Sequence, residues 1–240
     1  MRALINLLFF PGGLFLILLA LAYEWADRKL LARFENRIGP RWFQTVADIV
    51  KLLVKEEITP ATSHPILFGV LPVVAMTGAL TAALYVPLLG MRPALSFNGD
   101  LIVTLYLLSL LTMAVGMAGW NSTSRFTMMG ATRALTQLFS YEAPFMLALL
   151  GPAVVAQSWQ INQIVANNRG VWLLLTQPFG FAVALIGLMG KLEMPPFDAP
   201  KAKTEIVAGA LTEYSGRGLG LFHLGKGIEL VVGLTLIAAL

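Results

Sequence analysis

The sequence has no cysteine among its 240 residues. That excludes disulfides, and with them any thiolate-held iron–sulfur cluster or Cys zinc site in this chain. Charge is scarce too. Only 12% of the residues are Asp, Glu, Lys or Arg, against roughly 25% in an ordinary soluble domain, and a soluble protein of this length needs more polar surface than that. No phosphate-cradling loop, nucleophile elbow or Ser/His/Asp arrangement is legible. The 2 histidines, His64 and His223, stand at helix entries in no metal-ligand spacing, where capping or interfacial roles account for them.

What is plentiful is apolar. Hydrophobic residues make up 57% of the chain and the mean hydropathy is +0.75. They fall in blocks near the roughly 20 residues that a bilayer core requires, at about 3–23, 66–90, 99–120, 137–157, 171–190 and 219–240. Backbone groups in lipid must be satisfied within the segment, and these runs are too long for barrel strands, so the blocks predict helices. The fold class expected is all-α: a polytopic transmembrane bundle of about six spans, forming a single integral membrane domain over residues 1–240. Leu14 to Ala22 mimics a signal peptide, but the apolar stretch from Ala3 to Tyr23 is long enough to cross and further spans follow, which favours a first membrane helix. Pro11-Gly12-Gly13 is expected to bend or break it. Pro72, Pro87, Pro144 and Pro152 fall in or near other spans, where membrane helices tolerate them.

The net charge is +4 and the pI about 9.5. In a soluble protein that would suggest nucleic acid; here the basic residues lie between the apolar blocks, and the positive-inside bias explains them. Residues 24–65 hold Arg28, Lys29, Arg33, Arg37, Arg41, Lys51 and Lys55. The loop near 121–136 adds Arg125 and Arg133, and the loop 191–218 adds Lys191, Lys201, Lys203 and Arg217, making 13 on one side. Arg2, Arg92 and Arg169 lie on the other. The expectation is a multi-pass cell-membrane protein with its large basic loops cytoplasmic and its N-terminus outside. Within 24–65, Val46, Ile49, Val50, Leu53 and Val54 recur at helical spacing from Gln44 to Glu57, which predicts an amphipathic helix lying on the membrane or under a partner.

Several charges fall at membrane depth, where ionisable residues are costly and by default suggest ion or proton pathways. Glu142 stands near the start of the fourth span, Lys191 and Glu193 end the fifth, and Lys226 and Glu229 lie in the sixth. Glu205 and Glu213 are in or beside Ala199 to Leu211, a segment that reads as a short helix dipping toward the membrane. Lys226 and Glu229, three apart, share a helix face and can pair. Lys191 and Glu193, two apart, do not share a face, so each needs another partner. The plain alternatives are snorkelling of end residues to the headgroups and a static Lys226–Glu229 pair. As a group, carboxylates and lysines at this depth suit proton transfer, because partners and hydration move their pKa values.

Three segments resemble one family. Asp27-Arg28-Lys29-Leu30-Leu31-Ala32-Arg33-Phe34, running on to Arg37-Ile38-Gly39-Pro40 and Ala47 to Glu56, resembles the first cytoplasmic loop of the H-type (mitochondrial subunit 1) membrane subunit of the respiratory complex I superfamily. Arg133 to Glu142, with Gln137 and Ser140-Tyr141-Glu142, is similar to its second large cytoplasmic-side segment. Pro196-Phe197-Asp198-Ala199-Pro200, followed by Glu205 to Gly209 and Thr212-Glu213-Tyr214-Ser215-Gly216, is the most specific match. The resemblance implies a non-redox subunit that links peripheral redox subunits to an antiporter-like membrane arm. It assigns Glu142, Asp198, Glu205 and Glu213 to the charged path or its loop, with Phe197 and Tyr214 beside them, and Arg28, Lys29, Arg33, Arg37, Asp48 and Lys51 to docking of the peripheral arm. It also implies eight spans.

The departures from that family are specific. The Gly-Pro-rich loop of the quinone-reducing relatives is shortened to Arg41-Trp42-Phe43. Lys191 stands where they carry a glutamate and Glu193 where they have asparagine or similar; Lys226 replaces another glutamate, with Glu229 at a neutral position. These changes resemble the ferredoxin-linked membrane-bound hydrogenase or sulfane reductase branch, whose M-type subunit uses no quinone. That likeness implies no cofactor in this chain, iron–sulfur clusters (with a nickel–iron site as an option) in hydrogenase-like peripheral partners, and proton or sodium translocation. The alternatives are a quinone-binding complex I subunit and a stand-alone secondary transporter, which would favour internal repeats not seen here. A structural anchor is the third, and Gln at Glu142 or Glu213 separates it from a path.

Overall fold

The computed structural model describes residues 12–167 and 177–240, and among them all regular structure is helical. Helix α1 (Gly13–Phe34) is followed by the short α2 (Gln44–Val54), α3 (Pro65–Ala83), α4 (Asp100–Asn121) and α5 (Arg125–Ala156). Then come α6 (Ile161–Asn167), α7 (Pro178–Lys191), the four-residue α8 (Lys203–Ile206) and α9 (Gly216–Ala239), with single 3-10 turns at Leu88–Gly90, Ala199–Lys201 and Gly209–Leu211. Among the described residues, four stretches are long and apolar enough to cross a bilayer: Pro65–Gly90, Asp100–Asn121, Arg125–Ala156 and Gly216–Ala239. α7 is apolar but has 14 residues. The expected spans 3–23 and 171–190 fall partly on residues 1–11 and 168–176, outside the described residues, as do Pro11 of the expected bend and the basic residues Arg2 and Arg169.

Two boundaries differ from the sequence reading. α1 runs eleven residues past the expected end at Tyr23, because Glu24, Ala26, Arg28, Lys29, Leu30, Leu31 and Ala32 are all good helix formers. It stops at Asn36, which has φ 55°, with the Arg37 N–H bonded to the Ala32 carbonyl at 2.8 Å, a Schellman ending. The expected loop 121–136 is mostly helix: α5 spans 32 residues, about 48 Å at 1.5 Å per residue, well over the ~30 Å hydrocarbon core. Arg125 and Arg133 therefore ride on a helix whose first turns pack against α4 and the 199–211 segment. The amphipathic helix expected over Gln44 to Glu57 is present as α2. Thr45 and Ile49 are buried, whereas Val46, Val50, Leu53 and Val54 stay exposed.

α3 packs along α4, α4 along α5 and α5 along α7, while α9 lies against α3 and α1. The core where these meet holds Phe68, Leu111, Phe222, Ile228 and Val231, each fully buried, while large residues such as Tyr106, Phe139, Leu147 and Phe179 face outward. At one end, buried Asp100 accepts the Ile161 N–H at 2.7 Å and the Ser96 hydroxyl at 3.3 Å, so it caps α6 and ties it to the start of α4. At the other end, the backbone of His64 at the α3 N-cap exchanges hydrogen bonds with the Asn121 side chain at 3.1 and 3.2 Å.

Ala199 to Leu211 is not the continuous short helix that its sequence suggests. Ala202 leaves the helical backbone at ψ 94°, Val207 has φ 60° and ψ −93°, and Gly209 has φ 65°. The segment is pressed into the bundle against α4 and α5. A Cβ on Gly130 would lie 2.4 Å from the Ala210 nitrogen, and one on Gly209 would lie 2.1 Å from the Pro200 carbonyl oxygen. Overpacking of this kind costs about 1–3 kcal/mol. Gly130→Ala and Gly209→Ala should therefore lower the unfolding temperature of the purified protein. Gly69→Ala, whose Cβ meets nothing within 4 Å, should not. An unmoved unfolding temperature in Gly130→Ala would mean that the segment does not press on α5.

Candidate functional site

The turn after α7 places the central carboxylate. The Glu193 N–H bonds the Gly190 carbonyl and the Met194 N–H bonds the Met189 carbonyl, at 3.3 and 3.1 Å. This is the Schellman pattern, whose left-handed position is usually glycine. Here Glu193 takes it, with φ 53°, at a backbone cost of about 1–2 kcal/mol. Gln137 on α5 clamps the turn, donating to the carbonyls of Gly190 and Phe197 at 2.6 Å each. The Phe197 ring lies 4.9 Å from that of Tyr141.

So aimed, Glu193 is buried and meets two cations at one oxygen. Its Oε2 accepts from Lys226 Nζ of α9 at 2.5 Å and pairs with Lys201 Nζ at 3.0 Å. Burial pushes this carboxyl up, but the charges of Lys226 and Lys201 outweigh it and hold Glu193 well below the usual carboxylate range. Deeper in, Lys191, with 1% of its side chain exposed, pairs with Glu142 of α5 at 3.2 Å and donates to Ser109 of α4 at 3.2 Å. Glu229, on α9, is buried and its Oε1 has no hydrogen-bond partner.

A cavity of about 720 Å³ lies among Lys191, Glu193, Lys201, Lys226 and Glu229. Lys191, Glu193, Lys226 and Glu229 line its inner wall; Asp198, Lys201 and the α1 residues Glu24, Asp27 and Arg28 line the outer part, with His223 and Thr112 beside them. Arg28 bridges Glu24 on its own helix and Asp48 on α2, the latter at 2.9 Å, so the cavity rim is continuous with the surface where docking is expected. Lys29 lies over the Trp25 ring at 5.4 Å. Arg33 and Arg37 line a separate basic hollow of about 300 Å³ with Lys29, and Arg37 pairs with Glu35. Lys51 is exposed.

The Lys226–Glu229 pair that the spacing allows does not form. Both side chains share a face of α9, but Glu193 approaches Lys226 from the turn after α7, is the stronger partner, and leaves Glu229 Oε1 without one. Lys191 and Glu193 do find separate partners, as their spacing requires. Glu205 lies apart from the cavity on the outside of α5, paired with Arg133 at 2.5 Å and 58% exposed. Glu213 is half-buried and is not among the cavity residues. Tyr214 anchors the loop: it stacks on Phe68 at 4.0 Å, meets Phe222 edge-on at 5.2 Å, and donates to the Phe68 carbonyl at 3.3 Å. Burial, with Glu57 nearby, pushes its phenol up, so the donor is retained. Sequence reasoning misses Glu24, Asp27, Ser109 and Thr112 as neighbours of the site and treats Lys201 only as a topological charge. Nothing in their spacing says that α1 and α4 converge on the turn after α7.

A helical membrane bundle enclosing a cavity lined by acids and bases defines the class: an integral membrane protein with a buried cluster of ion pairs. A family model described as NADH dehydrogenase matches residues 7–240, and the chain belongs to that family. Among curated proteins it is similar to the second of the H-type NADH-quinone oxidoreductase subunits of Geobacter sulfurreducens, with 36% identity over 234 residues, covering 91% of this chain and 71% of the relative. The first such H-type protein of Geobacter metallireducens is 35% identical over the same length and coverage. The corresponding protein of Anoxybacillus flavithermus is 34% identical over 230 residues, covering 91% and 69%. These matches bear out the likeness to the H-type membrane subunit.

Removing one partner of a buried ion pair leaves an uncompensated charge and costs about 3–5 kcal/mol, whereas an exposed pair contributes about 1 kcal/mol or less. Glu193→Gln should therefore lower the unfolding temperature in detergent far more than Glu205→Gln, and Glu193→Gln/Lys226→Met should recover part of the loss. Equal shifts for the two single variants would refute the burial-based ranking.

Proposed function

We propose that this chain couples electron transfer in attached iron–sulfur and catalytic subunits to proton or sodium translocation in a complex I-like respiratory assembly. One observation carries the reading: Lys201, Glu193, Lys226, Glu229 and Lys191 line one cavity that also reaches Glu24, Asp27 and Arg28 of α1, and Lys191 is paired beyond it with Glu142. Buried carboxylates and lysines exchange protons when partners or hydration change, and such groups in a membrane bundle mark ion or proton routes. Redox chemistry belongs to the partners in this reading. The peripheral arm docks on Arg28, Lys29, Arg33, Arg37, Asp48 and Lys51, antiporter-like subunits adjoin the bundle, and the basic loops face the cytoplasm with the N-terminus outside. A change in the docked partner displaces the 191–216 loop, alters the pairing of Glu193, and passes through Glu229, Lys191 and Glu142. Glu205 and Glu213 act from the loop.

Within the superfamily, the assembly is of the ferredoxin-linked membrane-bound hydrogenase or sulfane reductase kind. Lys191 and Lys226 each occupy a position where the resemblance leads one to expect a glutamate, and each is matched by a carboxylate from another helix or turn. Such a wall, in which half of the lining residues are charged, suits water and protons better than the apolar body of a quinone. The second reading, a quinone-linked complex, is favoured by the names of the relatives, all three of which are subunits of NADH-quinone oxidoreductase.

Gentle purification through a tag on this chain, with mass spectrometry of what comes along, tests the assignment. Hydrogenase-like and iron–sulfur subunits together with antiporter-like subunits are expected. Nickel with hydrogen evolution selects the hydrogenase, and NADH- or quinone-linked subunits select the second reading. A chain that purifies alone or as a homo-oligomer removes the coupling role. In the intact complex, Glu142→Gln should lower the ions moved per electron by about tenfold or more, on the scale of a lost proton-transfer group. A structural anchor would show no change.

A further inference from the structure

Lys201 differs from the other cations of the cavity. Lys191 and Lys226 are carried by packed helices, and their side chains are 1% and 20% exposed. Lys201 is 41% exposed and sits at the end of a single 3-10 turn, Ala199–Lys201. That turn is attached to α5 by an Arg133–Ala199 carbonyl hydrogen bond at 3.4 Å, while Arg133 also pairs with Glu205. Lys201 shares its acceptor: Glu193 Oε2 is 3.0 Å from Lys201 and 2.5 Å from Lys226. It also has a second acidic neighbour. Asp27 on α1 lines the same cavity and feels the charge of Lys201 as well as that of Arg28. Asp27 is next in sequence to Arg28, which holds α1 to α2 through Asp48.

We propose that Lys201 is a two-position side chain that alternates between Glu193, in the buried relay, and Asp27, on the helix that carries the docking surface. In the first position Glu193 answers two lysines. In the second it answers Lys226 alone, and Lys201 neutralises Asp27 at the cavity rim. The transfer moves one positive charge outward along the cavity, away from Lys226 and Glu229, without breaking the Glu193–Lys226 pair. A long, flexible ammonium side chain with three donors suits such a role, and the two carboxylates supply the two discrete states that coupling between sites requires. A partner that shifts α1, or the turn that carries Lys201, then sets which carboxylate holds the lysine. The inference rests on the coupling role proposed above and adds to it the residue by which the cytoplasmic-side surface addresses the buried relay.

The test uses the intact complex reconstituted in sealed vesicles, with ions moved per electron as the readout for wild type, Lys201→Met, Lys201→Arg and Asp27→Asn. Lys201→Met and Asp27→Asn should each lower that ratio about threefold or more, the scale on which coupling residues act, and Lys201→Arg should restore most of it. Asp27→Asn is the discriminating variant: it leaves Lys201 and Glu193 intact and removes only the second position. If the wild type couples and Asp27→Asn couples at the wild-type ratio, Lys201 has one position and the inference fails while the coupling role stands. If Lys201→Met prevents assembly, Asp27→Asn decides alone. Wild-type vesicles that move no ions with electron transfer overturn both. High-resolution structures of the reduced and oxidised complex supply an independent readout: Lys201 on Glu193 in one and on Asp27 in the other is expected, and an identical pose in both overturns the proposal.

Discussion

The buried carboxylate of Glu193, held between two lysines, is the constraint on which the rest of this end of the molecule depends. A carboxylate so deeply placed is stable as an anion only if cations reach it, and two do. Meeting that requirement fixes the relative position of three otherwise separate elements: the turn after α7, the loop that carries Lys201, and the middle of α9. The loop is pinned in turn by Tyr214 against Phe68 and Phe222, and by the close approach of Gly130 to Gly209 and Ala210. Charge satisfaction and steric fit thus act on the same segment from opposite sides.

A second consequence follows from the length of α5. Arg133, Gln137 and Tyr141 are spaced four apart, so they lie on one face of a single helix. They touch, in order, the 3-10 turn and Glu205, the turn that aims Glu193, and Phe197. One residue further along, Glu142 receives Lys191. Loop, turn and inner lysine are therefore referenced to one continuous rod that also enters the membrane. Displacement of any one of them is felt by the others through the helix they share.

Much of this is legible in the amino-acid order, and what is not has a common cause. Helix content, the α2 amphipathic pattern and the depth of Lys191, Glu193, Lys226 and Glu229 follow from local composition and periodicity. The reach of α1 and α5 does not, because hydropathy marks the membrane and not the helix, and both continue in polar helix-forming residues. The partners of the buried charges are the least legible. Lys226 and Glu193 are 33 residues apart in sequence, and Lys191 and Glu142 are 49. Periodicity says which side chains share a helix face but not which other helix that face meets. It therefore lets Lys226 pair with Glu229, the nearest acid in sequence, in place of the one that arrives from the turn after α7. Glu24 and Asp27 escape notice for the same reason.

The left-handed backbone at Glu193 has an implication for how this chain can change. A glycine there would relax the helix ending and remove a buried anion, yet it would strand two lysines. Local comfort of the backbone and service to the charge network pull that one position in opposite directions. Redesign for thermal robustness that optimises helix endings one at a time would select the wrong residue there and yield a chain with a better turn and no central acid.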